Sequence, residues 1–219
     1  MKTCIFTVSS FKLAGFLARC ALLLCLLSAY NTVAYATKFE VDGLYYQTTG
    51  ANTVKVIERN YSNFTGEVAI PETVVYNKIN YAVTGIGDHA FSSNKTITSI
   101  IVPNTVNFIE ASAFSYSNIA SVTLPETIET IGNEVFMSCH RLESIAIPNS
   151  VTELRYGAFQ GCDHLKSVSL PNSLTTLESR MFDGCVSLEG VNLPTQDNST
   201  KRICKMHQFV IYLASFVNR

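Results

Sequence analysis

Three cysteines, Cys139, Cys162 and Cys185, fall 23 residues apart. Thiolate metal sites draw their ligands from short spacings such as C-x-x-C, and the sequence contains none. The even spacing puts the three thiols at one position of a repeated unit. Stacked units would bring the sulfurs within range of a disulfide, but three thiols cannot all pair, and Asn94 holds the same position earlier in the chain. The expectation is a file of small buried side chains; Cys204 falls off it and has no assigned role. His140 and His164 sit one position apart in adjacent units, while His89 and His207 stand elsewhere. Two ligands do not make a metal site, so the histidines read as solvated turn residues. Ser99, Ser121, Ser144 and Ser167 also share a position, but a repeated serine with no partner base is a packing feature, not a nucleophile. No G-x-S-x-G, H-E-x-x-H or phosphate-binding glycine loop is present. No catalytic residue, metal or cofactor is therefore expected. A hydrolase reading would require His140, His164 and an acid to converge in a pocket.

The elements that carry these residues are five copies of one unit, at residues 83–105, 106–127, 128–150, 151–173 and 174–196, the second one residue short. Each opens on an apolar residue (Val83, Val106, Ile128, Val151, Leu174), with a second three residues on (Ile86, Ile109, Ile131, Leu154, Leu177). A phenylalanine follows in every copy: Phe91, Phe114, Phe136, Phe159 and Phe182. After Ile97, Ile119, Leu142, Leu165 and Leu188 the pattern alternates, as in Ser144-Ile145-Ala146-Ile147-Pro148. Period two marks a strand with one buried face. Proline, at 103, 125, 148, 171 and 194, then stops the pairing because it has no N–H to donate. Between strand and phenylalanine lie a second short extended piece and a tight helical or irregular turn. A unit this small cannot cover its own apolar side chains, but copies laid on one another can. Neighbouring strands about 4.8 Å apart would form one parallel sheet, with the phenylalanines filed along the interior.

The motif I-P-N-S-V-T-x-I-G-x-x-A-F-x-G-C-x-x-L-x-S-V, best matched at residues 147–168, resembles the BspA-like class of leucine-rich repeats, over about residues 68–193. The resemblance implies a leucine-rich-repeat solenoid: a parallel β-sheet with short turns, 3-10 or short helical segments, and a β-rich N-terminal cap. It further implies bacterial cell-surface attachment and binding to host matrix proteins.

The flanks differ from the repeats. Lys2, Lys12 and Arg19, the apolar run at residues 21–29 and Ala34-Tyr35-Ala36 have the layout of a secretory signal peptide over residues 1–36. The run is too short for a membrane span, which needs roughly 20 residues. Neither Cys20 nor Cys25 follows the small residue of a lipoprotein signal. Residues 37–82 read as an N-terminal cap with a partial first repeat. In it, 39–46 and 53–57 are strands around the loop at 49–52, Asn77-Lys78 is a second turn, and Glu67-Val68-Ala69-Ile70-Pro71 already matches a repeat's strand end. Residues 197–219 form an atypical tail, either an idiosyncratic cap or the mark of a truncated or frame-shifted gene.

Apolar residues are 47% of the chain and charged residues 15%, which excludes a disordered polymer. A formal net charge of −1 gives no field that favours nucleic acid. What remains for function is surface. The outward strand column holds Ile101, Thr123, Ala146, Ser169 and Asn192, flanked by Glu143, Lys166 and Glu189 in alternating sign. Thr123, Glu143, Ala146, Lys166, Ser169, Glu189 and Asn192 are the candidate ligand-binding residues. The expected partner is an extracellular protein or glycan, and the expected place is the cell surface or the medium. The competing expectation is a structural envelope component, or the remnant of a longer repeat protein.

Overall fold

A computed structural model describes residues 36–58, 64–174 and 176–192, and every element below belongs to the unit Lys38–Arg219. The expected signal peptide, Cys204, His207, Pro194 and the tail at 197–219 lie outside the described residues.

The strands are β1 (Lys38–Val41), β2 (Leu44–Thr48), β3 (Thr53–Val56), β4 (Gly66–Ala69), β5 (Thr73–Tyr76), β6 (Ile79–Ile86), β7 (Ile97–Ile101), β8 (Phe108–Ile109), β9 (Ser121–Thr123), β10 (Thr130–Ile131), β11 (Ser144–Ala146), β12 (Glu153–Leu154), β13 (Ser167–Ser169) and β14 (Gly190–Asn192). No helix occurs among the described residues, so the segment presenting each phenylalanine is an irregular turn. Each of the first four repeats supplies two strands and one such turn, the fifth supplies β14 and a turn, and these pieces form three sides of the stack. On one side β6, β8, β10 and β12 pair in parallel, Ile86 beside Ile109, Ile131 and Leu154 in turn. On the turn side, backbone N–H groups reach the following repeat: Phe91 donates to Ala113 O, Phe114 to Val135 O, Phe136 to Ala158 O and Phe159 to Met181 O, at 2.7–3.0 Å.

The third side departs from expectation. The proline-terminated strands do not form one sheet: β4, β7 and β9 make one parallel ladder and β11, β13 and β14 another, with no pairing between β9 and β11. The break follows the repeat that is one residue short, the residue being lost between Phe114 and Ile119.

Between the three sides lies the core. The five phenylalanines are buried and stacked, with successive ring centroids 5.7, 5.4, 5.5 and 5.6 Å apart and ring planes within 12° of parallel. Such offset-parallel packing suits the aromatic quadrupole. To hold it, the turn takes a left-handed residue at two fixed places per repeat: His89 and Ser93, Ser112 and Tyr116, Glu134 and Ser138, Gly157 and Gly161, Arg180 and Gly184, with φ between 53° and 75°.

The cap is more folded than the sequence suggests. Residues 39–46 are not one strand: Asp42 and Gly43, with φ of 49° and 82°, make a tight turn that doubles β1 back on β2. Asn77-Lys78 is the turn expected, both residues left-handed. The β3 strand joins the repeat ladder through β6 and β4 joins through β7, so the cap continues two sides of the solenoid. Phe39 stacks on Tyr76 at 4.2 Å beside buried Tyr46. Lys55 reaches both carboxylate oxygens of Glu110 at 2.7 Å, and the Asp88 N–H donates to the same carboxylate at 2.8 Å, which ties the cap to the second repeat.

Candidate functional site

The alternation of each strand places its branched residue inward and its small residues outward. Ile145 and Val168 are buried, while Ser144, Ala146, Ser167 and Ser169 face solvent. With Gly190 these residues line a shallow open groove of 320 Å³ on the β11–β13–β14 panel. No long side chain stands on its floor, so a ligand there could approach the backbone closely. The strand register aligns Ser144, Ser167 and Gly190 in one row, and Ala146, Ser169 and Asn192 in the next.

A charged rim borders the groove. Lys166 Nζ donates to Glu143 Oε2 at 2.8 Å, and both side chains are more than half exposed. That hydrogen bond, and then the charge of Lys166, hold the Glu143 carboxyl below its usual range, and the same contact raises Lys166. Glu189 stands on the far side of Lys166 and adds to its positive bias. Of the candidate residues, Glu143, Ala146, Lys166, Ser169, Glu189 and the backbone of Asn192 come together on this panel. Thr123 does not: it belongs to β9, across the unpaired boundary.

Next to the rim is an arrangement the sequence reading missed. Asp163 Oδ1 accepts from His140 Nδ1 at 2.9 Å and from His164 Nδ1 at 3.0 Å. Partial burial would raise the Asp163 carboxyl, but these two bonds outweigh it and hold the group below the usual carboxylate range. Asp163 occupies the repeat position of His140, one copy later, and that was the available signal. The two histidines are exposed, Asp163 is partly so, all three lie on turns, and none of them lines the groove. Among the described residues no cluster of three or more His, Cys, Asp or Glu could hold a metal ion.

The sequence matches the BspA type leucine rich repeat region in six copies over residues 78–206, more than half of the chain. The chain belongs to the BspA-type leucine-rich repeat family. Among solved structures, a leucine rich cell surface protein from Faecalibacterium prausnitzii is 31% identical with a TM-score of 0.65, over 72% of this chain and 43% of that one. A leucine-rich repeat protein from Bacteroides ovatus is 32% identical with a TM-score of 0.51, over 71% of this chain and 47% of that one. The T. pallidum leucine rich repeat protein, 23% identical with a TM-score of 0.58 over 73% of this chain and 84% of that one, shares the fold. The chain thus spans less than half the length of the first two. No curated protein sequence matches it. Repeat families of this kind are typically non-catalytic.

In this BspA-type array the cysteine file has a polar role as well as a packing one. Each thiol is buried and free. Each donates to the phenylalanine carbonyl of the preceding repeat: Cys139 to Phe114 at 3.1 Å, Cys162 to Phe136 at 2.9 Å, Cys185 to Phe159 at 3.0 Å. Each of these carbonyls already accepts a backbone N–H within its own turn, from Ser117, Cys139 and Cys162 respectively, so the thiol fills the second acceptor site of a buried oxygen. Burial pushes Cys139 up to about 11 and Cys185 up to about 12, and raises Cys162 as well. A thiol held protonated is a poor nucleophile and a poor metal ligand. The serine column is equally plain: Ser121, Ser144 and Ser167 are exposed on the sheet face, and Ser99 bonds to Glu67 at 3.3 Å. No helix of the described residues is long and apolar enough to cross a membrane.

Proposed function

We propose that the chain is an exported, non-catalytic binding module that takes an extended protein or glycan on the β11–β13–β14 panel, in the service of cell-surface attachment. The observation that carries this reading is the open groove floored by Ser144, Ala146, Ser167, Ser169 and Gly190 beside the Glu143–Lys166–Glu189 rim. A floor of small side chains lets a ligand reach backbone and hydroxyl groups, and a polar rim fixes its orientation. Repeat solenoids commonly use extended faces in this way. Family membership and the likeness to a bacterial cell surface protein support the setting.

The test is surface plasmon resonance of the purified chain over immobilised matrix proteins and glycans, with Ser169→Tyr and Lys166→Glu beside the unaltered protein. Saturable binding is expected to at least one of them. It should weaken roughly tenfold in Ser169→Tyr, the equivalent of about 1.4 kcal/mol, because the ring fills the groove. Binding that both variants leave unchanged would move the site off this panel. No saturable binding to any member would end the module reading.

A further inference from the structure

The boundary between β9 and β11 is more than a missing ladder. At the first step of this side, Ala120 N–H donates to Thr98 O and Val102 N–H to Thr123 O; at the third, Lys166 N–H donates to Glu143 O and Ile147 N–H to Ser169 O. Among the described residues the second step has neither counterpart, which would run from Glu143 N–H to Ala120 O and from Leu124 N–H to Ala146 O. The short connector bonds backward instead: Asn118 donates to Asn94 O through its backbone and to Lys95 O through its side chain, both at 2.9 Å. The core beneath is also thinner there. Val122 and Leu124 are only partly buried, whereas Ile100, Val102, Ile145, Ile147, Val168 and Leu170 on the same columns are buried.

The other two sides are intact at this step. β8 pairs with β10, Ser112, Phe114 and Tyr116 donate to Asn133, Val135 and Met137, and the Phe114 and Phe136 rings stack at 5.4 Å. Two closed sides and one open side make a hinge line. The geometry points to a built-in flexure: the one-residue deletion between Ser117 and Asn118 uncouples the β4–β7–β9 panel from the β11–β13–β14 panel, and the solenoid opens along β9/β11 about a spine of stacked phenylalanines. Backbone groups without rungs and a thin core give this seam the lowest local stability of the array. The panels then move independently, so Thr123 is not at a fixed distance from the groove. The inference does not depend on what the groove binds.

Amide hydrogen exchange of the unaltered chain, followed residue by residue by NMR, tests it without any substitution. The Leu124 and Glu143 amides should exchange about a hundredfold faster than Ile147 and Lys166, which hold the equivalent rungs. Equal protection of the four amides would overturn the inference. A lysine inserted between Ser117 and Asn118 restores the unit length of the first repeat and should slow the two seam amides roughly tenfold or more. The motion has its own readout in Cys139, whose thiol lies 3.5 Å from Ser117 Oγ at the foot of the seam. Its labelling by a maleimide, read by mass spectrometry, should slow on insertion while labelling of Cys162 stays constant. Unchanged labelling of Cys139 in a folded insertion variant would refute the hinge, whatever the amides show.

Discussion

If the stacked rings hold the repeats together, Phe136→Ala should be among the most damaging single changes in the chain. Phe136 is fully buried, with Phe114 at 5.4 Å on one side and Phe159 at 5.5 Å on the other. Losing a buried side chain of this size removes about 2–3 kcal/mol of transfer free energy, and the cavity raises the cost to about 3–5 kcal/mol. Two ring–ring contacts, worth about 0.5–1.5 kcal/mol each beyond area, place this residue at the upper end. Phe136→Leu keeps most of the volume and should cost about 1.5 kcal/mol. The assay is urea unfolding by circular dichroism, with the slope checked for constancy. A double-mutant cycle then separates stacking from burial. Phe114→Ala with Phe136→Ala should show a coupling of about 1 kcal/mol. Phe91→Ala with Phe159→Ala, which share no contact, should be additive within about 0.5 kcal/mol. A loss below about 1 kcal/mol for Phe136→Ala, against the central tendency for buried phenylalanine, would refute the claim that this file is the core.

Two further predictions rest on the turn. Cys139 and Cys185 titrate near 11 and 12 in the folded chain, above the ordinary value of 9.0. The unfolded chain therefore sheds thiol protons first, and the thiols' contribution to stability should be constant below about pH 9 and fall as pH rises through 9 toward 11. Thermal melts from pH 8 to 10.5 should show the fall, and Cys139→Ala should make it shallower, since Cys162 and Cys185 still contribute. At the second left-handed position, Gly161 has φ 72° and an added Cβ would meet Ser138 Oγ at 2.9 Å. Gly161→Ala should cost about 1–2 kcal/mol, while Ser138→Gly, relieving φ 54°, should be neutral or stabilising by about 0.5 kcal/mol in the same urea titration.

The columns of inward residues were legible because burial constrains them in every copy. Phe, Pro and the branched strand residues recur at fixed positions, and the structure stacks the phenylalanines as the periodicity implies. The first left-handed position of each turn was not legible. His89, Ser112, Glu134, Gly157 and Arg180 share no side-chain property, because the hydrogen bonds to the next repeat, not the side chain, impose that conformation. The Asp42-Gly43 turn carried the strongest short hairpin signal there is but was masked by apolar residues that seemed to alternate straight through it. The Asp163 bridge between His140 and His164 needed the repeats superposed to be seen, since its three members come from two copies.

The deletion in the second repeat shows how the two kinds of column differ in consequence. A residue lost from the middle of a strand would turn every later side chain to the opposite face and expose the core. Lost between Phe114 and Ile119, it leaves both Phe114 and Ile119 in their buried columns, and its cost falls on the outer side, where the β9–β11 rungs are missing and Val122 and Leu124 are only partly buried. Inward columns are thus protected by the free energy of the core, and outward ones tolerate variation. On the outward column, Ile101, Thr123, Ala146 and Ser169 change in every copy. A solenoid of this kind keeps its identity in the residues that repeat, so any specificity for a ligand has to reside in those that do not.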